Sequence, residues 1–183
     1  MTKNKKRIIR NIVFRSLILT LLLYYFWPEG KLSEDQKFNK IIVNKSRREM
    51  ILYYNDSSIA EYTISLGSKK RPHPKFGPIF THQKGKKTQK GDRKTPEGLY
   101  LVTQFGIGEY KPSLYIHYPN QQDKLNDYKG NSILIHGLNP SFSWLGKFHR
   151  WVDWTDGCIA VTDVEMEEIS RSIIFPCTIL IYP

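Results

Sequence analysis

The amino terminus carries the sequence feature that most limits what this chain can fold into. Residues 1–10 are basic, and the run Leu17–Trp27 is apolar apart from one threonine. This run ends in aromatic residues and Pro28, where a cleaved secretory peptide has small residues. We therefore predict an uncleaved signal anchor over residues 1–29, with a cytoplasmic amino terminus and the remainder outside. Two arginines weaken the apolar pattern, which leaves an interfacial or buried amphipathic helix as the alternative.

The rest of the chain has room for one domain. Residues 30–39 are polar and charged and are predicted to form a linker, so the domain is expected over residues 40–183. Hydrophobic residues make up 40% and charged residues 25% of the chain, a balance that excludes a disordered chain and a polytopic membrane protein. Two cysteines are too few for a disulfide framework. A single hydrophobic core must therefore carry the fold.

Short runs of β-branched and aromatic residues indicate a mostly β domain. Residues 55–58 separate two of these runs as a hairpin turn does, so the first strands are expected to form an antiparallel meander. The seven predicted strands are Ile41–Val43, Met50–Tyr54, Ile59–Leu66, Leu99–Phe105, Leu114–Tyr118, Ile133–His136 and Thr178–Tyr182.

One helix near the carboxyl terminus has clear sequence signals. Thr162 and Glu165 form a capping-box pattern, and Pro176 is expected to end the helix. A shorter helix is predicted between Gln121 and Tyr128, closed by Gly130, with a surface loop as the alternative. The apolar face predicted for the first helix comprises Val164, Ile169, Ile173 and Ile174.

Two long stretches without clear periodicity, 67–96 and 138–154, are expected to be functional loops. The first contains ten lysines and arginines between Lys69 and Lys94, with Asp92 as the one acid among them. This basic loop suits anionic lipid headgroups or the carboxylates of a cell-wall polymer, and a solvated face is the alternative. Nucleic acid is not expected as a partner, because no recognition fold is signalled and the domain is predicted to be exported.

A histidine and a cysteine lie at the ends of two apolar strands. The strand Ile133–His136 delivers its histidine into a turn at Gly137, and Cys158 follows Gly157 directly before another apolar run. Side chains on neighbouring strands are held at fixed separations, so the imidazole can activate the thiol by taking its proton. The backbone N–H groups of Gly157 and Cys158 are candidate oxyanion donors for acyl transfer.

The other candidate groups favour structural explanations. Cys177 begins an apolar terminal strand and is expected to be a core residue, with a disulfide to Cys158 as the alternative. His149 is a weaker candidate base than His136. Since no pair of histidines has metal-ligand spacing with a carboxylate or thiolate, neither a metal nor another cofactor is expected.

Together these residues resemble the signature of the L,D-transpeptidase (YkuD-like) catalytic domain family. The matching motifs are His136-Gly137 and Thr155-Asp156-Gly157-Cys158, and Gly91–Tyr100 is similar to the family's GD-x-x-TPEG-x-Y turn into a strand. Three motifs in the family's order make the resemblance specific, and the residues around them resemble the proteobacterial YafK-type branch. The resemblance implies a YkuD-like β-sandwich or mixed sheet with one short helix near the carboxyl terminus.

The resemblance also implies a function. Cys158 is implied as the nucleophile that forms a thioester with the tetrapeptide stem of peptidoglycan, and His136 as the proton donor and acceptor. The products are 3-3 cross-links or an attached lipoprotein, in cell wall organisation and cell shape. The implied location is the cytoplasmic membrane, with a single pass and the catalytic domain on the extracytoplasmic side. Oxyanion or substrate contacts are implied for Gly157, Thr155, Gly137 and Arg150.

The chain departs from the family pattern at Asp156 and Ala160, where many members have His and either Arg or Asn. Arg150 is the candidate to replace the missing cation, and the stretch 138–154 is a candidate lid. A carboxylate beside the thiol would disfavour the thiolate, so Asp156 is expected to point away from Cys158. The alternative functions are a hydrolase that releases wall-bound lipoprotein, a catalytically inactive peptidoglycan-binding module, and a basic membrane or polymer adhesion domain.

Overall fold

The computed structural model describes residues 3–27, 31–73, 77–108, 110 and 112–183, with only the backbone described for residues 3 and 70–82. Within these ranges the strands are β1 Phe38–Asn44, β2 Glu49–Tyr54, β3 Ser57–Thr63, β4 Ser68–His73, β5 Gly77–His82, β6 Gly98–Phe105, β7 Ser113–Ile116, β8 Ile133–His136, β9 Ile159–Ala160 and β10 Ile173–Tyr182. The helices are α1 Lys3–Phe26, α2 Gln121–Leu125, α3 Asp163–Ser172 and the 3₁₀ segment Pro140–Trp151, which is kinked at Gly146.

Eight of these strands form one mixed sheet in the order β3-β2-β1-β10-β6-β7-β8-β9. The β1·β10 and β8·β9 pairs are parallel, and the other neighbours are antiparallel. The chain after β3 curls back to the far edge of the sheet, where Ser65 bridges Ala160 and Gly67 bridges Thr155. This closure brings the segment after β3 against the residues around Cys158.

The predicted mostly β fold is confirmed, with three differences in detail. The first three strands form the expected meander, but β10 inserts beside β1 in parallel because both strands present apolar side chains to one core. The basic stretch was expected to be irregular, and it contains the two-stranded ribbon β4·β5. The short strand β9 was also missed. The fully buried members of the core include Phe38, Ile41, Met50, Leu52, Tyr62, Ile116, Ile135, Ile159, Met166 and Ile179.

Helix α3 begins as predicted and ends earlier. The Thr162 hydroxyl accepts the N–H of Glu165, and the Glu165 carboxylate accepts the N–H of Thr162, so the capping box is present. The helix stops at Ser172, and residues 173–176 belong to β10, where Ile173 pairs with Phe38 of β1. The predicted apolar face is therefore wrong apart from Ile169. Val164 and Ile174 are exposed, and the buried face of α3 consists of Glu165, Met166, Glu168, Ile169 and Ser172.

Helix α2 is shorter than predicted. Asn120 and Asp123 supply a reciprocal capping box at its amino end, and the helix ends at Leu125 with Asn126 as its C-cap. Gly130 lies beyond this end and does not close the helix. The helix crosses from the end of β7 to the start of β8.

Helix α1 extends from the domain and touches it at one end. Residues 4–26 are long and apolar enough to cross a membrane. At the carboxyl end of α1, Tyr24 and Tyr25 pack on Phe148 with ring centroids 5.8 and 5.5 Å apart. The stretch expected as a linker contributes Leu32 to the core, and its backbone N–H donates to the Glu168 carboxylate of α3. Strand β1 starts at Phe38, two residues before the expected start of the domain.

Candidate active site

Cys158 and His136 lie at the two adjoining strands β8 and β9. In the parallel β8·β9 pair, His136 is opposite Ala160 and Ile135 is opposite Ile159. His136 is the last residue of β8, and Cys158 directly precedes β9. The Cys158 thiol accepts the N–H of Leu134 at 3.4 Å and donates to the Ser132 carbonyl at 3.6 Å.

A backbone carbonyl fixes the proton on His136. Its Nδ1 lies 2.6 Å from the Gly137 carbonyl oxygen, which can only accept a hydrogen bond. Nδ1 therefore carries the proton, and Nε2 of the neutral ring has a free lone pair that can accept one. The rings of Tyr110 and Trp154 hold the imidazole, with centroids 4.1 and 5.7 Å away.

Burial keeps both reactive groups neutral. It lowers the pKa of His136 below 6.5, although the Gly137 carbonyl and Asp163 act in the opposite direction. Burial also raises the pKa of Cys158 above 9.0, and the Asp156 charge adds to this shift, while the Leu134 N–H opposes it. The resting pair is therefore a thiol and a neutral imidazole, which suits proton transfer during attack on a substrate.

The turn that carries Cys158 is held by its own threonine. The Thr155 hydroxyl donates to the Cys158 carbonyl at 2.7 Å and accepts the Gly157 N–H at 3.2 Å. The Gly157 N–H, predicted as an oxyanion donor, is thus already paired within the turn. Gly157 has a φ of +121°, and a Cβ at this position would lie 2.7 Å from the Lys94 carbonyl oxygen. Only glycine fits both the backbone conformation and the close approach.

Arg93 ties this turn to the first residue of β4, and sequence analysis had not assigned it a role. Its Nε donates to the Ser68 carbonyl at 2.7 Å, and a terminal nitrogen donates to the Thr155 carbonyl at 3.3 Å. Its guanidinium also forms an ion pair with Asp156, whose side chain is largely exposed. Asp156 is therefore drawn towards Arg93, in line with its expected orientation.

Asp92 organises the motif segment in which Arg93 lies. Its carboxylate accepts the N–H groups of Thr88 and Lys94 and forms an ion pair with Lys87 at 2.8 Å. Burial raises the pKa of Asp92, but the hydrogen bonds from Lys87, Lys94 and Thr88 outweigh burial and lower it. Thr95 of the same segment accepts the N–H of Gly67. The motif thus supports, through polar contacts, the turn that carries Cys158.

Gly137 allows α3 to approach the catalytic histidine. A Cβ on Gly137 would lie 2.4 Å from Oδ1 of Asp163, the first residue of α3. The same oxygen accepts the N–H of Leu138 at 2.7 Å. This contact fixes the carbonyl that orients His136. A groove of about 270 Å³ starts at Gly137 and is lined further by Tyr110, Pro112, Leu138, Pro140, Ser143, Asp163, Met166 and Glu167.

Two residues of the long loop do not fill the roles considered for them. Arg150, the candidate for the missing cation, forms an ion pair with the buried Glu165 at 2.6 Å, so its charge is already compensated. The pKa of His149 falls to about 3 through burial and the charges of Arg150 and His136, so His149 does not exchange protons near neutral pH. Its Nδ1 lies 3.1 Å from the Ser65 hydroxyl.

The two cysteines are both free thiols, so the alternative of a disulfide is wrong. Cys177 is fully buried in β10, as expected for a core residue. In the part of the chain that the structure describes, no group of three His, Cys, Asp or Glu side chains could hold a metal ion.

The site lies in a mixed, curled sheet, with His136 at the end of β8 and Cys158 directly before the neighbouring strand β9. This arrangement defines the class of protein. A family model described as the L,D-transpeptidase catalytic domain, YkuD, matches residues 39–173. The chain therefore belongs to the L,D-transpeptidase catalytic domain family.

Individual relatives agree with this family. The Escherichia coli K12 protein YafK is 31% identical over 92 residues, which are 49% of this chain and 32% of YafK. The helical cell shape determining protein Pgp2 of Campylobacter jejuni, as its K307A mutant, superposes with a TM-score of 0.59 at 25% identity, over 80% of this chain and 47% of that structure. Bd1075 of Bdellovibrio bacteriovorus has the same fold, with a TM-score of 0.53 at 19% identity, over 83% of this chain and 50% of that structure. The chain thus spans half or less of the length of each of these three relatives.

Proposed function

We propose that the protein is a cysteine-dependent L,D-transpeptidase that acts on the tetrapeptide stems of peptidoglycan. The observation that carries this proposal is that the Cys158 thiol contacts the backbone of Ser132 and Leu134, at the strand that ends in His136, and that the Gly137 carbonyl leaves Nε2 of His136 free to accept a proton. Family membership supports the reaction class, and Pgp2, a cell shape determining protein, supports a role in cell shape.

In the first step, the Cys158 sulfur attacks the carbonyl carbon of the third, L-centred residue of the stem. His136 Nε2 takes the thiol proton as the carbon–sulfur bond forms, so a tetrahedral oxyanion results. The imidazolium then returns the proton to the departing amine of the terminal D-alanine as the carbon–nitrogen bond breaks. The product is a thioester on Cys158 and free D-alanine.

In the second step, an acceptor amine attacks the thioester. Neutral His136 removes a proton from the attacking nitrogen, and the thiol of Cys158 is regenerated when the carbon–sulfur bond breaks. An amine from a neighbouring stem gives a 3-3 cross-link, and an amine of a lipoprotein gives an attached protein. Attack by water gives hydrolysis, the outcome that would make the protein a peptidase.

The amino-terminal helix fits the compartment of this substrate. Residues 4–26 form a helix that is long and apolar enough to span a membrane, and basic residues concentrate before the apolar run. By the positive-inside rule, the amino terminus is cytoplasmic and the catalytic domain lies outside. We therefore propose a single-pass anchor in the cytoplasmic membrane.

Acylation by a carbapenem tests the nucleophile. The full chain in detergent is incubated with the drug, and the intact mass is measured. Wild type and Cys177→Ala should each gain one adduct, while Cys158→Ala should gain none. An unmodified wild type would overturn the enzymatic proposal in favour of a wall-binding module.

Digestion of isolated sacculi separates transfer from hydrolysis. The full chain is incubated with sacculi, and the muropeptides and bound protein are analysed. New 3-3 dimers support cross-linking, and newly attached lipoprotein supports anchoring. Loss of attached lipoprotein without new dimers would identify the protein as a hydrolase.

A further inference from the structure

A second cavity, of about 600 Å³, lies within the loop that joins β8 to the catalytic turn. Its volume falls within the ~300–1,000 Å³ range of ligand sites. Trp154 contributes to its wall and also packs on His136, so the cavity adjoins the catalytic pair. The wall consists mainly of apolar side chains, among them Leu138, Phe142, Leu145, Phe148 and Trp151.

One buried polar atom in the wall has no partner in the described part of the chain. The indole N–H of Trp154 can only donate, and it lies 3.4 Å from Nδ1 of His149. Nδ1 is therefore an acceptor, and the neutral ring carries its proton on Nε2. Nε2 of His149 is buried without a hydrogen-bond partner. Nε2 has almost no accessible surface, so a ligand in the cavity cannot reach it, and the surface that a ligand meets is apolar.

The mouth of the cavity presents large apolar side chains to the outside. Phe142, Trp151 and Val152 line the cavity and are 55, 64 and 49% exposed. Trp144, in the same loop, is 68% exposed. An exposed cluster of this size marks an interaction surface, and tryptophan is enriched where membrane meets water.

This surface continues onto the end of α1. Phe148 forms part of the cavity wall and stacks on Tyr25 of α1. The Tyr25 hydroxyl donates to the Trp144 carbonyl at 2.8 Å, and Lys147 donates to the Tyr24 carbonyl at 3.1 Å. The exposed tryptophans and the aromatic end of the candidate membrane span thus belong to one continuous surface.

We propose that this cavity binds an acyl chain of a membrane glycerophospholipid, with Trp151 lying at the bilayer interface. An acyl chain matches the apolar wall, and it is the apolar ligand that a bilayer at the end of α1 supplies. The inference rests on the membrane anchor proposed above, because a bilayer must meet the end of α1.

Photo-crosslinking of the full chain in vesicles tests this inference. The vesicles contain phosphatidylcholine and phosphatidylglycerol, with a share of phosphatidylcholine that carries a diazirine in one acyl chain. After irradiation, labelled peptides are located by mass spectrometry. We expect label on α1, as an internal control for the anchor, and on peptides from residues 138–154.

Two variants separate occupancy of the cavity from contact with its mouth. Leu145→Trp fills the cavity and should lower the loop label by about tenfold, with the α1 label unchanged. Leu145→Asn keeps a similar shape, makes the wall polar, and should lower the loop label by about threefold. Leu125→Trp is the matched control, because Leu125 is exposed on α2. Helix α2 precedes β8, whereas the loop follows β8.

The outcomes distinguish failure of the lipid site from failure of the membrane anchor. Label on α1 without label on the loop would overturn the lipid site and leave the anchor standing. Absence of label from both would overturn the anchor and the lipid site together. Equal loop label in wild type and Leu145→Trp would show contact at the surface with an empty cavity, which also overturns the inference. Should circular dichroism show that Leu145→Trp does not fold, Leu145→Asn is the deciding variant.

Discussion

Two consecutive segments before β9 are held in different ways. The turn 155–158, which carries Cys158, is fixed by hydrogen bonds and an ion pair, through Thr155 and through Arg93. The preceding loop, 138–154, meets α1 through aromatic rings around Phe148, with hydrogen bonds of Tyr25 and Lys147 beside them. Hydrogen bonds restrict both distance and direction, whereas apolar contacts restrict mainly distance. The turn is therefore the more narrowly fixed of the two segments, and the loop presents the more adaptable surface.

The largest effect should come from the base itself. His136→Gln removes the proton acceptor, so we expect carbapenem acylation of Cys158 to slow by about 10²- to 10⁴-fold. His117→Gln, at an exposed position after β7, is the matched control and should react like wild type. The time course of adduct mass measures both. An unchanged rate in His136→Gln would assign the base to another group.

The tightness of the turn predicts the next largest effect. Gly157→Ala combines an unfavourable φ with the clash on Lys94, so it should lower the free energy of unfolding by about 2–4 kcal/mol. Gly108→Ala is the control, because its φ of +130° is similar and nothing lies within 4 Å of its Cβ position. It should cost about 1 kcal/mol. Equal losses in denaturant unfolding would show that strain alone, without the clash, sets the cost.

The pH dependence of acylation tests the electrostatics of the turn. Burial disfavours the imidazolium, so His136 stays neutral to lower pH and the acidic limb of the rate profile should lie below pH 6.5. Burial disfavours the thiolate, so Cys158 should lose its proton only above pH 9.0. Asp156→Asn removes a charge that opposes the thiolate and should move the alkaline limb to lower pH. A limb that moves upward would contradict this sign.

The smallest effect is expected where the loop meets α1. Tyr25→Phe removes one exposed hydrogen bond to the Trp144 carbonyl, so we expect a loss of less than about 1 kcal/mol in the free energy of unfolding. Tyr54→Phe, at an exposed hairpin position, is the control. A loss above that of Gly157→Ala would reverse the contrast between the two regions.

Local signals in the sequence predicted local structure well. Strand β8 was located to the residue, and the Thr162 capping box set the start of α3. The end of α3 was wrong because Ile173 and Ile174 suit a strand as well as a helix. Pairing of Ile173 with Phe38, far away in the chain, decides the outcome, and no local pattern contains it.

The same limit applies to the candidate site. Motifs identified Cys158 and His136 because their neighbours form short, specific patterns. The partner of Arg150 depends on packing between the loop and α3, so its pairing with Glu165 could not be predicted from the residues around Arg150 in the sequence. Arg93, by contrast, lies inside the motif Gly91–Tyr100, between Asp92 and Lys94. Its position within this motif was the signal that could have identified it.

Lys147 links the loop 138–154 to the carboxyl end of α1. Its ammonium donates to the carbonyls of Tyr24 and Trp27, groups that a helix terminus leaves unsatisfied. Ten residues separate Trp27 from Phe38 and could extend to roughly 40 Å, yet the Lys147 ammonium holds the end of α1 against the loop. In a bilayer, this contact would fix the height and tilt of the domain. With the function proposed above, a fixed height would confine the domain to one thin layer of the wall, and breaking the contact would widen that layer.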